Sequence, residues 1–340
     1  MSQSTFPQFP EHSTSLLKKY LTPEIWEALS GLQTASGYTF SQLIRSGVEQ
    51  PDSSVGVYAG DAESYELFAP LLTPIIQDYH GNADRHPAAD FSFDDLPEVS
   101  AAAQDRIIST RVRVGRNLAG FPLGAGISNA DRLKVESLIK DALQQLPDHI
   151  QGNYLSLNGM DETLRQDLVA RHLLYKNEDR FLASANLMRD WPQGRGLFLS
   201  HDEAFSVWVN EEDQLRIIAL KQGGDVTEVF RLLADGVKSL STRLDFSFSE
   251  SVGNITSCPS NLGTAMRASV HMKLGTLFRD EATLKQQAGK LGLQVRGIHG
   301  EHSQGAGGVY DISNRMRMGI TEKAAVSHLI NGINTLVTMD

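Results

Sequence analysis

The chain has 340 residues, 41% of them hydrophobic, which is enough for a real core and suggests two domains or one large domain with an appendage. Its formal net charge of -10 gives it no general attraction for nucleic acid or anionic membrane, so a polyanion would need arginines concentrated locally against that background. No run of about 18 apolar residues is present to span a membrane, the polar start Met1–Pro10 lacks the features of a secretory signal, and the single cysteine, Cys258, excludes an internal disulfide, so a reducing, cytoplasmic setting is expected.

The N-terminal part reads as helices with tight stops. Thr22-Pro23-Glu24 is an N-cap followed by proline at the first helical position, and Gly31 ends that helix. A second helix is expected from Thr39 to Ser46, stopping at Gly47. A loop of small residues, Val48 to Gly60, follows. Asp61 then caps a helix reaching Tyr79, which Pro70 and Pro74 bend or split. Gly81 to Pro97 is polar and lacks periodicity, so it reads as a linker. The expected division is a small helical domain over 1–90 and a larger domain over 91–340.

From Gln104 the pattern turns to strands. Ile108, Thr110, Val112 and Val114 alternate with Ser109, Arg111 and Arg113, which puts the apolar set on one face and both arginines on the other. Ser128 to Asp131 caps a helix. Leu197–Phe198 and Phe205–Val209 suggest a hairpin, and Leu215–Leu220 a further strand after the acidic turn 210–213. A helix covers Val226–Leu240, and Met266–Met272 alternates again. A helix over Thr276–Leu291, a strand over Leu293–Ile298, a glycine-rich loop from His299 to Gly308, a short strand at Val309–Ile312 and a helix capped by Thr321 complete the chain. Strands outnumber helices here, and neighbouring hairpins point to an antiparallel sheet, so the expected class is α+β.

Four groups of residues carry chemistry. Arg111, Arg113, Arg216, Arg267 and Arg296 each fall on a strand or its end, opposite an apolar face. Guanidinium forks bind phosphate oxygens bidentately, so several converging on one sheet face would cradle a triphosphate without a glycine loop. Taken singly, each suits a solvated face or a carboxylate partner better than a phosphate; the pair Arg111 and Arg113, sharing a face, suits either reading. Glu211-Glu212-Asp213 reads either as a solvated hairpin tip or as a site for a cationic substrate whose neighbours organise Mg²⁺ through water. Cys258 precedes Pro259 and so sits in a loop, where the Ser260 hydroxyl suits a thiolate; an inert packed cysteine is the plainer alternative. The glycine around His299, Glu301 and His302 suits a loop that closes on a substrate. No third ligand stands near His299 and His302 to make a metal site. There is no P-loop, no protein-kinase signature, no dinucleotide fingerprint, no HExxH and no G-x-S-x-G.

Together these segments resemble the phosphagen (ATP:guanido) kinase family, closest to its arginine kinases. Cys258-Pro-Ser-Asn-Leu-Gly-Thr264 matches the signature C-P-[ST]-N-[LI]-G-T. Ser109–Arg113, Val207–Asp213 with Leu215-Arg-Ile, Arg267–His271 and Gly308–Asn314 match as well, and Ser46–Glu49 and Asp61–Tyr65 extend the match into the N-terminal part. The resemblance implies a helical N-terminal domain and a catalytic domain with an antiparallel sheet flanked by helices, similar to that of glutamine synthetase. It implies reversible transfer of the γ-phosphoryl group of MgATP to free L-arginine, with another guanidino compound or a protein arginine side chain as the alternative acceptor, in a monomer or homodimer.

Residue by residue, the resemblance places ATP at Ser109, Thr110, Arg111, Val112 and Arg113, at His172 beside the adenine, and at Arg216. It adds Arg267, Ala268, Ser269, Val270 and His271, then Arg296, Gly297, Ile298, His299, Gly300 and Glu301. Glu212 and Glu301 are implied as guanidinium-binding carboxylates and Cys258 as the thiolate beside the reacting group. Ser54, Val55, Gly56, Val57 and Tyr58 are similar to the substrate-specificity loop. Mg²⁺ is expected on the nucleotide phosphates, with Glu211 and Asp213 reaching it through water. Asp52 and Arg180 match a pair that bridges the two domains. Three departures stand out: Ser54 where glycine is common, His299 where arginine is more usual, and Leu199-Ser200-His201 in place of His-Asn-Asp.

Overall fold

The computed structural model describes residues 5–82, 85–176, 178–274, 280–297 and 308–339. The chain opens with α1 (Leu16–Tyr20), α2 (Pro23–Leu29), α3 (Phe40–Glu49), α4 (Ser64–Leu67) and α5 (Ala69–His80). Side-chain caps start α2 and α3: Thr22 accepts from the Ile25 amide, and Thr39 and Gln42 form a reciprocal capping box; ahead of α4, Asp61 accepts from the Ser64 amide at 2.8 Å. The helix expected after Asp61 is split at Phe68, with Pro70 in the first turn of α5 and Pro74 inside it.

Gly47 is not the helix stop that its position suggests. α3 does not end at Gly47 but runs through it to Glu49. Gly47 is there for proximity: its amide donates to the Gly56 carbonyl at 2.9 Å, and a Cβ on it would sit 2.5 Å from that oxygen.

The second part contains α6 (Ala101–Gln104), β1 (Ile107–Arg116), α7 (Asn129–Leu143), β2 (Gly152–Ser156), α8 (Glu162–Ala170), α9 (Arg180–Ser184), β3 (Gly196–Ser200), β4 (Phe205–Val209), β5 (Leu215–Gln222) and α10 (Val226–Ser241). Then come β6 (Phe248–Ser249), β7 (Gly253–Asn254), β8 (Met266–Lys273), α11 (Glu281–Lys290), β9 (Leu293–Gly297), β10 (Val309–Asn314) and α12 (Glu322–Thr338). Among the described residues eight strands form one sheet in the order β2-β3-β4-β5-β1-β8-β10-β9, antiparallel throughout; β6 and β7 pair separately. The α+β class expected from the strand pattern is the one observed.

Register decides which side chains share a face. Val112 stands opposite Ala219 and Ala268, and Val114 opposite Ile217 and Met266. This set packs with Val135 and Ile139 of α7, Phe230 of α10 and Leu329 of α12 in the main core. Ile108, expected inside, is exposed; a register shift between Ile107 and Ser109 turns Ile107 inward in its place. The stretch read as a linker also reaches this core, since Phe91 is buried and stacks on Phe230. A second apolar cluster joins the two parts of the chain: Phe40, Ile44 and Phe68 share it with Leu123, Leu187 and Leu262. Among the described residues no helix is long and apolar enough to cross a membrane.

Candidate active site

The alternation that fills the core also collects the arginines on the opposite face. Arg113 is paired directly with Arg267, Gly115 with Arg216, and Asp311 with both His271 and Arg296. Opposite residues and those two apart share a face, so Arg111, Arg113, Arg216, Arg267 and Arg296 all lie on one side of five adjacent strands. Ser109, Ser269 and His271 lie there with them. Thr110, Val112, Ala268 and Val270 are fully buried on the core face. The side chains of these four therefore point away from the arginine face, and only their backbone groups are offered to it.

Like charges this close need anions. Burial and the nearby Arg216 and Arg267 push Arg111 down to about 10, and burial with the neighbouring arginines lowers Arg113 as well. Arg216 Nη2 lies 2.8 Å from Glu211 and 2.9 Å from Glu212, and Arg267 Nη2 lies 2.8 Å from Asp311. Arg267 Nε is buried with no acceptor. Donors left over in a dry, cationic face fit the oxygens of a polyphosphate, which supplies acceptors and neutralises charge together. The Trp208 ring underlies this face, 5.9 Å from Arg111 and 5.4 Å from Arg216.

At the edge of the sheet, His172 follows α8 with φ +59° and lines a cavity of about 310 Å³ with Arg165, Val169 and Lys176. It is close enough to His271 to help burial hold that imidazole below its usual value. Gly297 ends β9 on the same sheet; Ile298, His299, Gly300 and Glu301 lie outside the described residues.

The acidic turn between β4 and β5 is not a solvated tip. Asp213 is 4% exposed, and its Oδ1 accepts from Asn117 Nδ2 at 2.8 Å and from the Ser257 amide at 2.8 Å. That carboxylate oxygen fastens the turn to the Cys258 loop, and Glu211 faces Arg216. Glu212 Oε2 accepts from Arg216 and from Asn261 Nδ2 at 3.2 Å. Burial pushes the Glu212 carboxyl up to about 7; Arg216 opposes the shift, while Asp213 and Glu211 add to it.

Cys258 ends an extended segment and caps the 3₁₀ turn Pro259–Asn261. Its Sγ lies 3.1 Å from Ser260 Oγ, the contact expected from the spacing. Burial and the neighbouring Glu212 carboxyl push the thiol up to about 12, while the Ser260 hydroxyl acts in the opposite direction. Val55, Gly56, Val57 and Tyr58 lie over this region. The Tyr58 amide donates to Leu43 O at 3.0 Å, and the Ala59 amide donates to Ser257 O at 2.7 Å. The phenol of Tyr58 is buried, and Cys258 and Glu212 are among the charges that raise it. Ser54 begins the loop, its carbonyl accepting from the Leu16 amide. Arg180 forms a forked pair with Asp52 and also donates to Gln50 at 2.8 Å, tying the loop's base to α9.

Four participants escaped the sequence reading. Asp311 occupies the polar phase of a strand whose other phase carries Ile312, the one available signal. Trp208 and Asn261 lie inside the matched segments Val207–Asp213 and Cys258–Thr264 without an expected role of their own, and Arg317 has no local signature; pairing across strands and turns gives all three their neighbours.

A family model described as the ATP:guanido phosphotransferase C-terminal catalytic domain matches residues 134–340, and that of the N-terminal domain matches 11–77. Arginine kinase of Penaeus japonicus is 46% identical over 330 residues, covering 96% of this chain and 93% of that protein. Arginine kinase Scy s 2 of Scylla serrata is 46% identical over 331 residues, covering 96% and 92%. The crystal structure of lombricine kinase matches with a TM-score of 0.92 at 31% identity, covering 99% of this chain and 94% of that one. The substrate-free duplicated taurocyamine kinase from Schistosoma mansoni matches with a TM-score of 0.91 at 38% identity, covering 96% of this chain and 47% of that longer one.

Proposed function

The chain belongs to the ATP:guanido phosphotransferase family, and from that premise we propose that it transfers the γ-phosphoryl group of MgATP reversibly to the guanidinium of free L-arginine, giving phosphoarginine and ADP. The observation that carries this reading is the placing of Glu212 and Cys258 beneath the 54–58 loop, at the edge of a face of five arginines. The relatives named arginine kinase, 46% identical over nearly the whole chain, favour arginine among guanidino acceptors. Residues 1–90 supply the specificity loop in this reading, and residues 91–340 the phosphotransfer machinery. The reaction is assigned to the cytoplasm, with the enzyme a monomer or homodimer.

The chemistry asks for alignment and charge stabilisation more than for covalent help. An N–P bond forms as the bond between Pγ and the bridging oxygen breaks, and ADP leaves with the electron pair. The attacking nitrogen gives up its proton to Glu212, whose raised carboxyl suits a base working near neutral pH. Mg²⁺ carried on the phosphates would neutralise part of their charge, with Glu211 the nearby carboxylate able to reach its water shell. Arg111, Arg113, Arg216, Arg267 and Arg296 hold the phosphoryl oxygens. Glu301 is assigned as the second carboxylate on the guanidinium. The guanidinium cation beside Cys258 would favour its thiolate against the burial that raises the thiol.

The deciding experiment is a panel of arginine, creatine, taurocyamine and glycocyamine with MgATP in a coupled ADP assay. Arginine should give the highest kcat/KM. Preference for another member would move the assignment to that compound and make Ser54 the first residue to revert to glycine. Phosphorylation of arginine side chains in a protein, with none of free arginine, would overturn it.

A further inference from the structure

A sixth arginine reaches this region from outside the sheet. Arg317 lies in the connection between β10 and α12 and is 8% exposed. Its Nη1 donates to the Ser260 carbonyl at 2.5 Å and to Asn261 Oδ1 at 3.3 Å, and its Nε is buried without an acceptor. Among the described residues no carboxylate stands within ion-pair distance of it. Among the described residues, the titratable and charged groups that face it are Tyr79, Arg267, Arg296 and Cys258, together with Arg113 and His80. A buried cation without a carboxylate is costly, and core packing alone gives no reason to keep one. Its backbone is fixed as well. The Thr264 amide donates to the Arg317 carbonyl at 2.8 Å, and Gly263, at φ +86°, leaves no room there for a Cβ.

We propose that Arg317 is a positioning residue of the phosphoryl transfer, holding Cys258 and Glu212 at the acceptor nitrogen through the single turn Pro259–Asn261. The turn has two arms. Ser260 offers its carbonyl to Arg317 and its hydroxyl to the Cys258 sulfur. Asn261 turns its amide oxygen to Arg317, which directs its NH₂ to Glu212 Oε2. A cation on one side of that amide fixes which end the carboxylate meets. Charge acts in the same direction. Glu212 and Asp213 oppose a thiolate at Cys258, and the phenols of Tyr58 and Tyr65 also face the sulfur, whereas Arg317 favours ionisation.

This inference rests on the roles given above to Cys258 and Glu212, but its test does not depend on the identity of the acceptor. Cys258 is the only cysteine, so the rate of alkylation by iodoacetamide in the full chain, measured at one fixed pH near 9, reports one group. Arg317→Gln should slow that alkylation about 10-fold. With the acceptor that the panel selects, kcat should fall about 10-fold or more and KM for MgATP should change by less than about 2-fold. Arg317→Lys keeps the charge without the fork; it should restore the alkylation rate and leave kcat low. If circular dichroism shows the Gln variant unfolded, the Lys variant decides alone by the same split. An unchanged alkylation rate with unmoved kcat in a folded variant overturns the proposal. So does a loss confined to ADP affinity, which would make Arg317 another phosphate contact.

Discussion

Glu212 shows how far surroundings reset a side chain. As part of three consecutive acids it is indistinguishable from a solvated turn; folded, it is buried between Arg216 and Asn261. Glu212→Gln should lower kcat about 10²-fold or more, a usual size for loss of a general base. The pH profile adds a second readout. A carboxyl at about 7 is protonated below that pH, so the forward kcat/KM should fall as pH drops through 7, and the Gln variant should lose that limb. Stability follows the opposite course. Between the ordinary value of 4.5 and about 7 the folded chain holds a proton that the unfolded chain does not, so stability is full at the acid end and lost as pH rises through 7. Glu212→Gln should therefore raise Tm above pH 7 and leave it unchanged near pH 4, as measured by calorimetry. A Tm gain equal at both ends would deny that the carboxyl is the source.

The strands were the most legible part of the sequence, for a simple reason. Alternation of apolar residues with arginines is a local signal, and the pairing of Arg113 with Arg267 turned local phase into a shared face. What failed depended on contacts distant in sequence. β2, α8 and α9 carry weak patterns and are settled by neighbours, and Gly47 looks like a helix stop in the sequence whereas its cause is the passing chain at Gly56. That contact is testable. Gly47→Ala would drive a methyl group into the Gly56 backbone, where φ is +86° and adjustment is limited. Overpacking of this sort costs about 1–3 kcal/mol, and the displaced segment is the one over Cys258. The expected result is a lower Tm and a raised KM for the guanidino substrate, with KM for MgATP little changed. Equal rises in both would place the damage elsewhere.

The helical part and the sheet part are joined by an apolar layer rather than by ion pairs alone. Phe40, Ile44 and Phe68 share a cluster with Leu123, Leu187 and Leu262, while the Asp52–Arg180 pair is exposed and adds little. Calorimetry of the whole chain should give one cooperative transition, and residues 91–340 expressed alone should aggregate on gel filtration. Two separated transitions would mean that the layer does not couple the parts. Site assembly follows the same division of labour. The sheet places the arginines through register, which tolerates little local drift, while the 54–58 loop is set by backbone bonds to α1 and α3 and can vary in side chain without moving.

Trp208 has one further consequence. Its indole N–H is tied to the Leu173 carbonyl at 2.7 Å, beside His172, and its ring lies under Arg111 and Arg216. It is one of three tryptophans in the chain. The protein thus carries an intrinsic fluorophore wired to the two cations and the loop where nucleotide would arrive, so its emission can follow occupancy in real time without any label.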